Sequence, residues 1–411
     1  MRDILNGIRR LTTLQKSTIA TLAIAFTGLY LSSWKPLKIQ GIGGGHDYAD
    51  LASVLNAASC FREIGADVYM GTDKCGYQYG LFLLKLINLL HLNSLTPFFL
   101  GGLLFILVAC LLLVTGALSS ATRKHAVIAC LILLSPGPWL LFERGNFDLL
   151  IILFLTVTVL TLNTRLSFIG AALLLATVLM KFYTFPLVLL YLLLEKNKWN
   201  KLAIGVSSLA IIPLMVSDIA SAPGYPNPMY VAFGLPIPGL WVNFFAWRFN
   251  FDLVLGMFAQ YVIGIVVFLS VLLYYRRSKN AYHFREMASG IEFKSSTEKN
   301  IFLFSSLTYV GCFLAGSNFD YRLIFLAISL ALLNKAMADS LQSKMLIAAE
   351  LAALWFTYFY FGAIGAIPVL LSITGNAAQL FLAVFLFFYL YNFCMVEVKA
   401  LVKTCLGFRK A

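Results

Sequence analysis

The stretch that decides the fold is residues 147–195, FDLLIILFLTVTVLTLNTRLSFIGAALLLATVLMKFYTFPLVLLYLLLE. It holds three apolar runs, 147–164, 166–180 and 183–195, with short polar breaks between them. About 20 apolar residues cross a bilayer as a helix, so the first run predicts a membrane span. The other two runs are short for a crossing, and we interpret them as half-helices that meet inside the protein or cross a locally thinned bilayer.

The rest of the chain has the same character. Of its 411 residues 60% are hydrophobic and only 12% are charged, whereas charged residues make up about a quarter of a soluble domain. This composition excludes soluble, disordered and fibrous proteins and predicts an all-α polytopic membrane protein with about 12 transmembrane helices. The predicted spans are 17–34, 96–118, 125–142, 147–164, 166–180, 183–195, 202–217, 252–275, 300–317, 323–338, 345–362 and 376–395.

Charge sets the predicted orientation. Most of the 31 Lys and Arg residues fall in the loops on one side, including the loop 276–299, which the positive-inside rule makes cytoplasmic. Both termini are then cytoplasmic, and residues 1–411 form a single integral membrane domain. The run 17–34 lacks a small-residue cleavage pattern, so it reads as a retained span. The net charge of +13 reports this orientation and does not indicate nucleic-acid binding.

Two long segments are predicted on the opposite, outer face. The first outside loop, 35–95, contains an amphipathic stretch, Asp47 to Glu63, and a second apolar stretch, Tyr79 to Leu90. We expect both stretches to form helices at the membrane surface. The second segment, 218–251, is rich in Pro and aromatic residues and is interpreted either as an interfacial belt or as a lid that stacks on a sugar.

Cysteine and histidine spacing gives little sign of a metal. Among the 7 Cys residues, Cys60 and Cys75 are the two predicted outside, where an oxidising compartment would allow a disulfide. The 4 His residues are scattered without a ligand spacing typical of zinc, so no metal site is predicted. A divalent cation held by the carboxylates of Asp47 and Asp50 stays open as an alternative.

Asp47 and Asp50 follow a run of three glycines, Gly43 to Gly45. Three residues apart at the start of a helix, their carboxylates share one face. They fit helix capping. They also fit a general base that takes the proton of an acceptor hydroxyl, and the residues do not decide which of the two would serve.

Further polar groups lie at turns predicted on the same outer face, which predicts one shared site. Basic side chains suit a phosphate, and local ion pairing or a snorkelling lysine are the alternatives. The predicted phosphate-binding residues are Lys181, Arg322, Arg144 and Arg248. The predicted substrate-binding residues are His46, Glu143, Asn146, Asp148, Asp320 and Tyr321.

At these residues the sequence resembles the GT-C glycosyltransferases, which use polyprenyl-phosphate sugars, and most of all the family 87 mannosyltransferase-type group. The carboxylate after Gly43 to Gly45, the turn Glu143-Arg144-Gly145-Asn146 and Lys181 before Pro186 carry the resemblance. The chain departs from the pattern in having Arg-Gly-Asn where a Gly-Gln pairing is expected, and we expect no soluble C-terminal domain. The resemblance implies a catalytic Asp at position 47 or 50.

The expected function is an inverting hexosyl or pentosyl transfer from a polyprenyl-phosphate donor to a glycan, lipid or protein acceptor. The expected location is a bacterial inner (plasma) membrane with the active site outside, and no cofactor is expected. A secondary transporter or lipid-linked glycan flippase is the main alternative, although most ionisable groups sit at turns rather than at mid-membrane. A membrane-bound polymerase or ligase of lipid-linked glycans is the third.

Overall fold

The computed structural model is helical apart from one two-residue strand pair, within the residues that it describes. Those residues are 49–65, 68, 77, 81–95, 100–101, 103–104, 107, 123–133, 135–137, 141, 144–221, 232–249, 251, 255–277, 290–315, 318–319, 322–337, 341–356 and 366–405. The predicted span 17–34 and most of 96–118 lie outside them.

Helices and strands follow one another in this order: α1 Ala49–Ile64, α2 Leu81–Leu89, α3 Arg123–Leu133, α4 Asp148–Thr161, α5 Ser167–Met180, α6 Pro186–Leu194, α7 Lys198–Ser221, β1 Ala232–Phe233, α8 Ile237–Arg248, α9 Met257–Arg277, α10 Ser296–Ala315, β2 Asn318–Phe319, α11 Leu323–Ala336, α12 Leu341–Trp355 and α13 Ala366–Cys405. Two 3₁₀ turns, Leu92–Ser94 and Phe182–Thr184, follow α2 and α5.

Three of the described helices are long and apolar enough to span a membrane, within α7, α9 and α13. Large apolar side chains remain exposed on α7 and α9, such as Leu209 at 70% and Phe258 at 82%. Apolar surface of this extent is unusual for a soluble protein and suits contact with hydrocarbon. A membrane protein is therefore supported, while the number of twelve spans stays a prediction.

The core is built on α10 and α11. Nearly every side chain of α11 is buried, as expected for a helix that is apolar all round. The hydroxyl oxygens of Ser305 on α10 and Ser329 on α11 lie 2.8 Å apart, and Ser306 donates to Ser329 at 3.1 Å. Small residues with mutual hydrogen bonds let two apolar helices approach closely.

Helices α4 and α5 also pack closely against each other. A Cβ added at Gly170 would lie 2.3 Å from Thr161 Oγ1, so only glycine allows this approach. The hydroxyl of Thr158 donates to the carbonyl of Gly170 at 3.0 Å. After α5 the chain forms the 3₁₀ turn Phe182–Thr184, and α6 begins at Pro186. Proline is favoured in the first turn of a helix.

The two segments that the sequence predicts on the outer face contain helices and a strand that pack against other parts of the protein. Helix α1 packs on α2, where Asn88 Nδ2 donates to the carbonyl of Ala58 at 2.7 Å. Strand β1 pairs with β2, Ala232 opposite Phe319. Part of the segment 218–251, which the sequence predicts as an interfacial belt or a sugar-stacking lid, forms the helix α8. Cys60 is disulfide-bonded, and its expected partner Cys75 lies outside the described residues.

Candidate functional site

The first part of the candidate site joins α1 to the turn before α4. The carboxylate of Asp50, in the first turn of α1, accepts hydrogen bonds on Oδ1 from Nε of Arg144 at 2.7 Å and from a terminal nitrogen of the same guanidinium. Its Oδ2 accepts from Asn146 Nδ2 at 2.7 Å. Both oxygens of Asp50 are thus held by two residues that lie about a hundred positions further along the chain.

The turn that carries these two residues depends on the glycine between them. Gly145 has a φ of 60°, in the left-handed region that side chains with a Cβ rarely adopt. Its conformation turns Arg144 and Asn146 toward the same carboxylate. The side chain of Asn146 also accepts a hydrogen bond from the amide of Asp148 at 3.0 Å, which caps the start of α4.

The second part of the site surrounds Asp148, whose side chain is fully buried. Its Oδ1 lies 2.6 Å from Lys181 Nζ and accepts a hydrogen bond from the Tyr183 hydroxyl at 2.7 Å. Its Oδ2 lies 3.4 Å from Arg322 Nε. The Arg322 guanidinium also sits 4.8 Å from the centre of the Tyr183 ring, a cation–π distance.

The two parts are continuous because Lys181 joins them. Its Nζ donates to Asn146 Oδ1 at 3.0 Å, the oxygen that also caps α4. We call the joined set the polar cluster. It consists of Asp50, Arg144, Asn146, Asp148, Lys181, Tyr183 and Arg322.

Secondary structure brings the polar cluster together where helices begin or end. Asp148 is the first residue of α4, Lys181 is the extended residue that ends α5, and Arg322 precedes α11. Such ends leave backbone groups outside the helical ladder, which makes them natural places for polar side chains. The break between α5 and α6, which the sequence predicted as a meeting of two short helices, places Lys181 and Tyr183 on one turn.

Charge and exposure differ among members of the polar cluster. Three cations face two carboxylates within it, so these side chains carry a net positive charge. The side chains of Arg144 and Arg322 are 22% and 12% exposed, whereas that of Lys181 is 1% exposed. The two arginines are therefore the cluster cations that a ligand can reach, and an anion is the ligand that their charge favours.

Six of the twelve residues predicted for the site meet in the polar cluster. Arg248 is exposed at the end of α8, and no contact joins it to the cluster among the described residues. The remaining predicted residues lie outside the described part of the chain: His46, Asp47, Glu143, Asp320 and Tyr321. Tyr183 belongs to the polar cluster but was not predicted, although its place two residues after Lys181 is visible in the sequence.

The described residues contain no group of three or more His, Cys, Asp or Glu side chains arranged to hold a metal ion. The carboxylates of Asp50 and Asp148 are each paired with cations of the chain itself. The alternative of a divalent cation at Asp47 and Asp50 stays a prediction, since Asp47 is not among these residues.

An apolar cavity of about 230 Å³ lies where α8 meets α9, α10 and α13. Its walls include Trp241 and Phe245 of α8, Phe313 of α10 and Ile373 of α13. The amide of Leu235, also in the wall, donates to the carbonyl of Phe313 at 3.0 Å. Strand β1 leads directly into this wall and pairs with β2, which ends three residues before Arg322 in the sequence.

No family model, curated protein or solved structure matches this chain. The polar cluster and the apolar cavity are therefore the features of the protein that bear on its function.

Proposed function

We propose that the protein is a membrane glycosyltransferase with a GT-C-like arrangement of about twelve spans, which transfers a hexose or pentose from a polyprenyl-phosphate donor to an acceptor hydroxyl. The proposed site faces outside, with both termini cytoplasmic, as in a bacterial inner membrane. The single observation that carries the proposal is the polar cluster. It is a partly enclosed site in which two arginines are accessible beside a carboxylate that is anchored at the start of a helix.

The proposed reaction has three coupled parts. An acceptor oxygen attacks the anomeric carbon of the sugar, and the bond between that carbon and the phosphate oxygen breaks. The bonding electron pair leaves with the phosphate, and the hydroxyl proton passes to a carboxylate, Asp47 or Asp50. A carboxylate within hydrogen-bonding reach of the acceptor is the usual base for such a step.

Arg144 and Arg322 have the electrostatic role in this proposal. Negative charge grows on the phosphate oxygen as the bond to the sugar breaks, and cations fixed in low-dielectric surroundings stabilise such charge strongly. Guanidinium groups also match the geometry of phosphate oxygens through paired hydrogen bonds. The predicted phosphate ligand Arg248 and the predicted substrate-binding residues outside the described part of the chain remain part of the proposal.

The apolar cavity supports a donor that carries a lipid. Apolar and aromatic walls suit a hydrocarbon chain, whereas the polar cluster suits an anionic head. A ligand with an anionic head and an apolar chain would use both features. A free sugar nucleotide would use only the polar cluster.

The test is transfer of radiolabelled sugar from polyprenyl-phosphate donors to cell-envelope acceptors in membranes that contain the protein. We expect transfer by the wild type and a loss of at least about 100-fold in the double variant Asp47→Asn, Asp50→Asn, because loss of a general base costs about 10²–10⁴-fold. Unchanged transfer by a normally expressed double variant would contradict the assignment of the base. Movement of an intact substrate across liposomes without transfer would support the transporter alternative instead.

A further inference from the structure

Lys181 is enclosed by groups of the protein itself. Its ammonium lies 2.6 Å from Asp148 Oδ1, donates to Asn146 Oδ1 at 3.0 Å, and belongs to a side chain that is 1% exposed. Two of the three N–H donors of this ammonium are directed at oxygens of the protein, and the low exposure of the side chain closes it to a ligand unless Asp148 or Asn146 moves. Displacing Asp148 would take its nearest cation from a buried carboxylate, which is unfavourable.

The two carboxylate oxygens of Asp148 contact different partners. Oδ1 is paired with the ammonium of Lys181 and accepts a hydrogen bond from the hydroxyl of Tyr183, while Oδ2 lies 3.4 Å from Arg322 Nε. These partners come from the turn after α5 and from the residue before α11. The carboxylate therefore ties together two parts of the chain that meet only in the folded protein.

Arg322 is held on two sides. Asp148 lies beside its Nε, and the ring of Tyr183 lies 4.8 Å from the centre of its guanidinium, while 12% of its side chain remains exposed. The planar guanidinium is thereby fixed in direction before any ligand arrives. A preoriented cation loses less conformational freedom on binding than a flexible one.

We propose that Lys181, Asp148 and Tyr183 form a positioning network for Arg322, and that Lys181 does not itself contact the anionic group of the substrate. Lys181 compensates the charge of Asp148, and Asp148 together with Tyr183 orients Arg322 toward the anion. This inference rests on the proposed function for the identity of the anion, a lipid-linked phosphate. It replaces a direct role of Lys181 in phosphate binding with an indirect one.

A double-mutant cycle separates these two roles. Binding of undecaprenyl phosphate, the lipid product of the proposed reaction, is measured on the purified full-length protein for the wild type, Asp148→Asn, Lys181→Met and the double variant. If Lys181 acts only through Asp148, its removal adds nothing once Asp148 has been changed. We expect each single change to weaken binding about tenfold and the double variant to bind within about twofold of Asp148→Asn.

The opposite result would show a direct contact. A direct contact of Lys181 with the phosphate would cost the same whether or not Asp148 is changed, so the double variant would then lose about a further tenfold relative to Asp148→Asn. That result would overturn the inference. Tyr183→Phe provides a milder check, since it keeps the ring beside Arg322 and removes only the hydroxyl. We expect it to weaken binding by about threefold, within the usual effect of one hydrogen bond, and binding equal to wild type would contradict a role of the hydroxyl.

Lys335→Met is the matched control for lost stability. Lys335 pairs with Glu298 at 2.5 Å, its side chain is 6% exposed, and it lies at the opposite end of α11 from Arg322. The control breaks a second buried ion pair without touching the polar cluster, so we expect a similar fall in thermal stability and undecaprenyl phosphate binding within about twofold of wild type. Equal weakening by Lys335→Met and Lys181→Met would assign the effect to stability and overturn the inference.

Binding and transfer are scored separately so that the two proposals fail in different ways. A wild type that binds undecaprenyl phosphate but transfers no sugar would contradict the proposed function, and the binding cycle would still decide the role of Lys181. A wild type that does not bind undecaprenyl phosphate would contradict the inference itself.

Discussion

Replacing Gly145 by alanine tests whether the turn before α4 sets the geometry of the polar cluster. Gly145 has a φ of 60° and lies between Arg144 and Asn146, which both bind Asp50. An L-residue in this conformation costs about 1–2 kcal/mol because its Cβ approaches the following carbonyl oxygen. The turn relieves that strain by rotating, and rotation carries Arg144 and Asn146 away from the carboxylate.

The chain supplies a matched control with the same backbone strain. Gly65 also has a φ of 60°, follows the last residue of α1, and would place its Cβ in open space. Gly65→Ala therefore costs the same 1–2 kcal/mol or so through strain alone. A comparison of the two variants separates the general loss of stability from the displacement of site residues.

Two assays carry this comparison. Chemical unfolding of the purified protein in detergent is expected to show losses of about 1–2 kcal/mol for both variants. Sugar transfer is expected to fall about 100-fold for Gly145→Ala, because a displacement of about 1 Å in a positioned group has effects of that size. Gly65→Ala is expected to retain at least about half of wild-type transfer, since its strain leaves the polar cluster in place. Equal transfer by the two variants would refute the reasoning.

Four other substitutions have expected outcomes. Glu350, fully buried on α12, accepts a hydrogen bond from Asn334 at 2.5 Å, so Glu350→Gln is expected to alter the free energy of unfolding by less than about 1 kcal/mol. Glu350→Ala leaves a cavity and an unpaired amide, and a loss of about 2–5 kcal/mol is expected in the same unfolding assay. Gly170→Val inserts a side chain where a Cβ already lies 2.3 Å from Thr161 Oγ1, and about 1–3 kcal/mol of destabilisation is expected in thermal unfolding. Arg144→Gln is expected to lower sugar transfer by about 10–100-fold, and transfer equal to wild type would exclude its electrostatic role.

Helices that coincide with a single apolar run were predictable from the sequence. The runs 147–164 and 166–180 became α4 and α5, with bounds within a few residues of those expected. The polar residues between the apolar runs indicated where α4 and α5 begin and end. These helices are fixed by local composition, which a sequence displays directly.

Helix α8 and the length of α13 were not predictable in the same way. Residues 237–248 contain one proline and several aromatic side chains without helical periodicity, yet they form a helix whose Trp241 and Ile237 pack against Val369 and Ile373. The apolar run 376–395 lies inside a helix of 40 residues. Tertiary packing, rather than local propensity, decides both cases.

The polar cluster, too, was predictable from the sequence only in part. The sequence identified Asp50, Arg144 and Lys181 as candidates because they lie at a predicted helix start and at turns that are predicted on the same face of the membrane. It did not indicate that Tyr183 binds Asp148, or that the ammonium of Lys181 is turned inward. Those facts depend on which side chains meet across 35 or more positions of the chain, and a turn motif alone does not encode such a meeting.

The most direct test of the central claim follows both products of one donor. The purified protein in liposomes receives a polyprenyl-phosphate sugar labelled with one isotope in the phosphate and another in the sugar, together with cell-envelope acceptors. A glycosyltransferase is expected to release one unglycosylated polyprenyl phosphate for each sugar that appears on an acceptor. Donor that crosses the bilayer with both labels still joined, and no labelled acceptor, would contradict the account.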